Sequence, residues 1–158
     1  MEDASLVRLR PMTRSDLAAV SELGIRSKAS WDYSPEEMAV FKGELTLGDG
    51  TLEELLDAQV AVCGDELVGY FTLRTHDDGS VELEHLFVEP TWFGRGIGSL
   101  LLRGALAAAA NRKIRELTII SDPNATGFYL RNGAVVVGQH RSSIAGREIP
   151  VLSMRAQE

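Results

Sequence analysis

A glycine-rich segment at residues 88–102 has the composition of a phosphate-binding loop. An apolar strand pattern ends at Pro90, Gly94, Gly96 and Gly98 follow in alternation with other residues, and a Leu/Ala-rich helical run opens at Ser99. Glycines allow backbone N–H groups to converge on one point. A helix that begins there directs its unsatisfied N–H groups and its positive dipole end at the same point. The segment therefore predicts a phosphate site.

Ionisable side chains that could move protons precede this loop, on the predicted strand Val81–Val88. Strand alternation predicts that Glu82 and Glu84 share a face with Leu86 and Val88, whereas His85 lies on the opposite face unless a bulge turns it inward. A carboxylate in a site can act as a general base. The alternative is that one or both are exposed strand carboxylates, and that His85 is a partly buried histidine.

Composition limits the class of protein. The chain has 158 residues and a net charge of −7, with no basic arm, so we expect one domain over residues 1–158 and no nucleic-acid partner. The single cysteine, Cys63, excludes an internal disulfide and favours a reducing, cytoplasmic location. We expect no membrane span, since no apolar run reaches about 20 residues, and no metal, since the histidines and Cys63 lack ligand spacing.

One stretch of the chain is strongly acidic. Between positions 32 and 57, eight acidic residues face one base, Lys42: Asp32, Glu36, Glu37, Glu44, Asp49, Glu53, Glu54 and Asp57. Such charges usually form solvated helix faces. The alternative is the rim of a pocket that attracts a cationic substrate.

The elements that must position these residues alternate between strand and helix patterns. Strands are predicted at Leu6–Arg10, Gln59–Cys63, Leu67–Arg74, Val81–Val88, Leu117–Ser121, Val135–His140 and Ile149–Met154. Helices are predicted from Thr13 to about Arg26, from a Ser34-Pro35 start to about Leu45, and over Thr51–Asp57, Gly98–Arg112 and a brief segment from Asp122 to Asn132. This order predicts a mixed sheet with helices on its faces.

Two familiar phosphate loops fit poorly. A nucleotide P-loop needs a lysine after its last glycine, but Gly98 is followed by Ser99 and Leu100. A dinucleotide-binding loop needs GxGxxG in a parallel βαβ unit, whereas the spacing here is GxGxG after three hairpin strands.

A third loop type fits. Phe93-Gly94-Arg95-Gly96-Ile97-Gly98 is similar to the [Q/R]xxGx[G/A] motif of the GNAT superfamily of N-acetyltransferases, and Phe128 to Gly133 is similar to its FYxxxG element. The resemblance covers essentially the whole chain. It implies an α/β (α+β) fold: a mixed, mostly antiparallel sheet of six to seven strands flanked by about four helices. Phe93 departs from the motif, because it stands where the family usually has Gln or Arg.

The resemblance also implies roles for residues. Glu84 and Glu82, with Glu84 slightly preferred, would act as the base, and Tyr129 would donate a hydrogen bond to the departing sulfur. Trp31 and Tyr33 would line the acceptor pocket, for which plain packing is the alternative. Acetyl-CoA would be bound by Leu86, Phe87, Val88, Phe93, Gly94, Arg95, Gly96, Ile97, Gly98, Ser99 and Asn124.

The function implied is acetyl transfer from acetyl-CoA to a primary amine by direct attack in a ternary complex, the amine belonging to a small molecule or a protein. The alternative is a non-catalytic acyl-CoA-binding or regulatory module on the same fold. The sequence does not specify the acceptor. The final strand pair offers an edge through which a homodimer could form.

Overall fold

The computed structural model describes residues 6–144 and 146–157, and these residues form one seven-stranded sheet. In spatial order the strands are β1, β2, β3, β4, β5, β7 and β6. Their bounds are Arg8–Pro11 (β1), Asp57–Cys63 (β2), Glu66–Thr75 (β3), Val81–Val88 (β4), Glu116–Ile120 (β5), Val135–Arg141 (β6) and Glu148–Arg155 (β7). All neighbours are antiparallel except β4 and β5, which are parallel. The predicted class, a mixed and mostly antiparallel sheet with flanking helices, is confirmed.

Five α-helices lie within the described residues, and the second begins at a strong start signal in the sequence. They are α1 (Leu17–Ala29), α2 (Pro35–Leu45), α3 (Thr51–Glu54), α4 (Ile97–Asn111) and α5 (Thr126–Arg131). At α2 the Ser34 hydroxyl accepts from the Glu37 N–H at 3.1 Å, and the Glu37 carboxylate accepts from the Ser34 N–H at 2.9 Å. This reciprocal cap satisfies two backbone donors and fixes the start of α2. None of the helices in the described part of the chain is long and apolar enough to cross a membrane.

Two apolar clusters cover the two faces of the sheet. The larger lies between α4 and the sheet, and the smaller lies between α1 and the other face, around Tyr70. Gly69 on β3 allows α4 to approach closely, because a Cβ there would lie 2.8 Å from Leu101 Cδ1 and 2.9 Å from the carbonyl oxygen of Phe87. The start of α4 is thereby fixed against β3 and β4.

Strand β4 contains a β-bulge at Glu84. Leu83 pairs with Leu73 and His85 pairs with Thr72, so Glu84 is an extra residue opposite one step of β3. Leu86 and Val88 pack against the α4 cluster, whereas His85 lies beside Phe87 on the α1 side. The prediction that Glu82 and Glu84 share a face with Leu86 and Val88 is therefore wrong, whereas His85 lies opposite Leu86 and Val88 as predicted. The extra residue shifts the alternation by one position.

The two parallel strands at the centre of the sheet separate soon after they meet. β4 pairs with β5 at one position, Glu82 with Thr118. From the residue after Glu82 to Val88, the edge of β4 that faces β5 has no strand partner in the described chain. The divergence opens a cleft in the middle of the sheet, directly before the glycine loop.

Candidate active site

A cavity of about 440 Å³ fills the cleft between β4 and β5. Its floor is formed by residues 82–87 of β4, and its far wall by residues 119–122 with Tyr129 of α5. Helices α1 and α2 cover one side, and the β6–β7 hairpin covers the other. Both strand carboxylates therefore reach a site large enough for a small molecule.

The two carboxylates have different partners. Glu84 accepts from Arg74 Nε at 2.5 Å, so an arginine occupies one of its oxygens. Glu82 Oε1 lies 2.6 Å from His76 Nε2, and the Glu82 side chain is 11% exposed while that of His76 is 44% exposed. Glu82 thus connects the cavity to solvent through an imidazole, whereas Glu84 is held in an ion pair.

His85 lies between these carboxylates and the α1 cluster. It is buried, its Nδ1 lies 2.8 Å from the Thr72 hydroxyl oxygen, and a Glu84 oxygen lies 3.6 Å away. Burial lowers the pKa of His85, although the nearby Glu84 charge opposes that effect. The ring is therefore neutral in the folded protein near pH 7, and its contact with Thr72 fits a structural role.

Buried and neutral, His85 makes the stability of the fold depend on pH. Its unfolded pKa is about 6.5, and its folded pKa is lower, so below about pH 6.5 the unfolded chain takes up a proton that the folded chain does not. We expect the free energy of unfolding to fall by up to about 1.4 kcal/mol for each pH unit below that value. Urea unfolding of the wild type and of His85→Gln between pH 7.5 and 5.5 gives the free energy of unfolding as a function of pH. The difference between the two slopes measures the contribution of His85. Parallel slopes would contradict the assignment.

Lys28 on α1 carries a positive charge into the cavity and is neutralised there. Its Nζ lies 2.7 Å from Asp122 Oδ2 and 4.2 Å from the centre of the Phe41 ring. Trp31 and Tyr33 lie beside the same ammonium, at 5.9 and 5.6 Å. Trp31 also lines the cavity.

Asp122 joins several of these groups. Tyr33 donates its hydroxyl hydrogen to Asp122 Oδ2 at 2.5 Å, and the Asn124 backbone N–H and side-chain amide donate to Oδ1 at 2.8 and 2.9 Å. Although burial raises the pKa of Asp122, these bonds and Lys28 outweigh it, and the pKa lies below its usual value. Asn124, predicted to contact the coenzyme, is held on this aspartate.

Tyr129 lies at the wall of the cavity. It is buried, and burial raises the pKa of its hydroxyl well above the usual value. The neighbouring Phe128 ring contacts it edge-on at 5.2 Å. A phenol with a raised pKa keeps its proton, so Tyr129 is suited to donate a hydrogen bond rather than to act as an acid.

The glycine loop follows β4 directly and turns into α4. Gly94 and Gly96 have φ of +79° and +85°, values that residues other than glycine rarely adopt. Gly96 is the N-cap of α4. Leu100 N–H bonds back to the Gly96 carbonyl oxygen at 3.1 Å. The N–H groups of the first turn, at Ile97, Gly98 and Ser99, have no partner within the helix itself, as a phosphate cradle requires.

Side chains on both sides hold this loop in place. Arg26 of α1 binds the Glu89 carboxylate with two nitrogens, the shortest contact being 2.8 Å. Trp92 donates to Glu66 at 3.0 Å, and the Arg95 guanidinium stacks on the Trp92 ring at 4.7 Å. Phe93 is 47% exposed. The loop is thus anchored to α1 and β3.

Other predicted site residues lie between the cavity and the loop. Leu86 and Phe87 line the cavity, and Val88, paired with Gly69, ends β4 at the open edge. Gly98 faces α5, because a Cβ there would lie 3.5 Å from the Phe128 ring. The acidic stretch contributes little to the cavity: of its residues only Glu44 lines it, Glu37 caps α2, and Glu53 and Asp57 pair with arginines.

Four polar residues of the cavity or the relay were not predicted as site residues: Lys28, His76, Asp122 and Arg147. Lys28 precedes Trp31 by one helical turn, a spacing that could have linked the two. His76 lies in the turn between β3 and β4, six positions before Glu82, whereas Arg147 meets Tyr33, 114 positions earlier, only through the fold.

The arrangement was compared with known proteins. Residues 30–157 match the family model described as an acetyltransferase (GNAT) domain. The fold is similar to a GCN5-related N-acetyltransferase from Rhodopseudomonas palustris, with TM-score 0.79, 22% identity, and 98% of each chain covered. It is also similar to the PaiA N-acetyltransferase from Thermoplasma acidophilum in complex with coenzyme A, with TM-score 0.76, 20% identity, and 94% of this chain and 98% of that chain covered.

A third similar structure is a GNAT family acetyltransferase from Brucella melitensis in complex with acetyl-CoA, with TM-score 0.68, 18% identity, and 96% of this chain and 89% of that chain covered. A search of curated proteins finds no significant match. The fold and its cleft define an acetyltransferase-type domain. The chain belongs to the GNAT acetyltransferase family.

Proposed function

We propose that this protein transfers the acetyl group of acetyl-CoA to an amine, with both substrates bound at once. One observation carries the proposal. The cleft between β4 and β5 joins, along a single strand, a cavity containing Glu82, an open backbone edge and a glycine loop at the start of a helix. An amine, a thioester and a pyrophosphate can occupy these three places in that order.

The glycine loop fits a pyrophosphate. Gly94 and Gly96 take positive φ values that bring backbone N–H groups together, and the start of α4 adds its dipole. No atom outside the loop lies within 4 Å of where a Cβ would be at Gly94, so the loop faces open space at that residue. The coenzyme would supply an activated acetyl group as a thioester, and the open edge of β4 at Leu86 and Val88 would pair with its peptide-like arm.

Glu82 is the better candidate for the base. An alkyl ammonium has a pKa of about 10.4, so its proton must be removed before attack. Glu84 is occupied by Arg74, whereas Glu82 contacts an exposed imidazole. We assign Glu82 to accept the proton, directly or through one water, and His76 to pass it to solvent. This reverses the order of preference that the sequence motif alone indicated.

Two donors would serve the other reacting atoms. The Tyr129 hydroxyl, protonated because of its burial, would donate to the sulfur as the thiolate leaves. At unperturbed values, transfer of the phenol proton to the thiolate costs roughly 2 kcal/mol, and burial adds to that cost, so Tyr129 stabilises rather than protonates. The backbone N–H of Val88 would donate to the carbonyl oxygen as it gains charge.

Ligand-dependent melting tests the coenzyme assignment, and thiol release tests the reaction. We expect acetyl-CoA to raise the melting temperature and ATP or NAD not to do so. At 100 times its dissociation constant, a ligand that binds only the folded state increases the free energy of unfolding by about 2.7 kcal/mol. A panel of amines with acetyl-CoA should include acceptors that release CoA faster than hydrolysis. Stabilisation by ATP or NAD instead would refute the coenzyme assignment. Stabilisation by acetyl-CoA with no acceptor found would favour a non-catalytic acyl-CoA-binding module.

A further inference from the structure

Arg147, immediately before β7, brings a guanidinium to the wall of the cavity. It donates from Nη1 to the Tyr33 hydroxyl at 3.0 Å, and from Nε and Nη2 to the Ser142 hydroxyl at 3.2 and 3.1 Å. It also lies over the Tyr33 ring at 5.5 Å. These partners fix its position, and all of them are neutral.

The positive charge of Arg147 is not balanced by an ion pair within the described residues, in contrast with the other cavity cation. Lys28 pairs with Asp122 at 2.7 Å, and next to the cavity Arg74 pairs with Glu84 at 2.5 Å. A guanidinium has five N–H donors, and the three contacts above leave two of them available to a ligand in the cavity. Two such donors match the two oxygens of a carboxylate.

We propose that Arg147 binds an anionic group of the acceptor, so that the acceptor is an amine that also carries a carboxylate, as in a free amino acid. The inference rests on the proposed function, because the amine must lie near Glu82 on the β4 side. The guanidinium lies on the hairpin side of the same cavity. A cavity of about 440 Å³ accommodates a molecule of amino-acid size spanning the two. A polyamine or an aminoglycoside would place further cations beside Arg147 and Lys28.

Matched pairs of acceptors test this inference. Glycine, leucine and phenylalanine are compared with their carboxamides, which keep the side chain and the amine but lose the negative charge. We expect kcat/KM to be at least tenfold higher for the acids. The amines of the carboxamides are less basic, so a larger fraction of them is unprotonated, and this difference alone would favour the carboxamides. In Arg147→Gln the preference should disappear through a higher KM for the acids, with the carboxamides unaffected. Arg147→Lys should retain part of the preference, because the positive charge remains although the paired N–H donors of the guanidinium are lost.

Controls separate this inference from the function on which it rests. Arg141→Gln removes an exposed arginine from the same hairpin and should preserve the preference. If no amine is acetylated, the proposed function fails, and the anion site is then read from melting with CoA present: the acids should stabilise the wild type, the carboxamides should not, and Arg147→Gln should abolish the difference. Equal turnover or binding of acids and carboxamides by the wild type would overturn the inference, as would an equal loss for both in Arg147→Gln.

Discussion

Glu82→Gln is expected to lower kcat for acetylation of an alkyl amine by about a hundredfold or more, within the range that a positioned general base contributes. The substitution keeps the size of a side chain buried in the cavity wall and removes its ability to take a proton. The contact with His76, now 2.6 Å from the carboxylate, would become a neutral hydrogen bond. Steady-state CoA release at pH 7.5 measures the effect.

The pH dependence distinguishes a lost base from a distorted site. The deficit of Glu82→Gln should shrink as the pH approaches the pKa of the amine, and should be small for an acceptor whose amine is already neutral at pH 7.5. Glu116→Gln is the matched control, since Glu116 is an exposed strand glutamate on β5 outside the cavity. A deficit that is equal for neutral and protonated amines would show that Glu82 does not act as the base. Retained stabilisation by acetyl-CoA would confirm that the variant folds.

Gly96→Val should weaken coenzyme binding by at least tenfold. With φ at +85°, a β-branched residue cannot keep the observed backbone, and the left-handed conformation costs about 1–2 kcal/mol even where it is tolerated. The loop would rotate and lose N–H contacts to the pyrophosphate, each worth about 1.5–3 kcal/mol to a charged partner. Calorimetric titration with CoA gives the dissociation constant directly.

Gly43→Val provides the comparison for that loss. Gly43 lies on the exposed side of α2 with an ordinary φ and open space around it, so valine there should leave CoA binding unchanged. Weakened binding in Gly96→Val with an unchanged dissociation constant in Gly43→Val places the phosphates at the loop. A dissociation constant for Gly96→Val within threefold of the wild type would mean that the phosphates bind elsewhere.

Local signals predicted most of the fold. The bounds of β4 and α2 agree with the structure, because a turn before Val81 and a proline after Val88 limit the strand, and Ser34-Pro35 starts the helix. Other boundaries moved by one to four residues, as at α4, which begins at Ile97 because Gly96 serves as its cap. α3 ends at Glu54 rather than Asp57, because β2 begins at Asp57.

The site was harder to predict, for physical reasons. No glycine or proline marks the bulge at Glu84; it follows from how β3 pairs with β4. Arg147 lies 114 positions after Tyr33, with which it bonds, and Asp122 lies 89 positions after it. Contacts of this kind depend on tertiary arrangement, which residue types and periodicity do not encode.

The bulge at Glu84 raises the density of functional groups on one face of β4. In a regular strand, residues on the same face are separated by about 6.6 Å, since each residue advances about 3.3 Å. The extra residue brings Glu82, Glu84 and His85, three polar side chains from four consecutive positions, to the cavity side. Leu83 and Leu86, which pack in the α4 cluster, also line the cavity. A single inserted residue thus concentrates ionisable groups without interrupting the hydrophobic support beneath them.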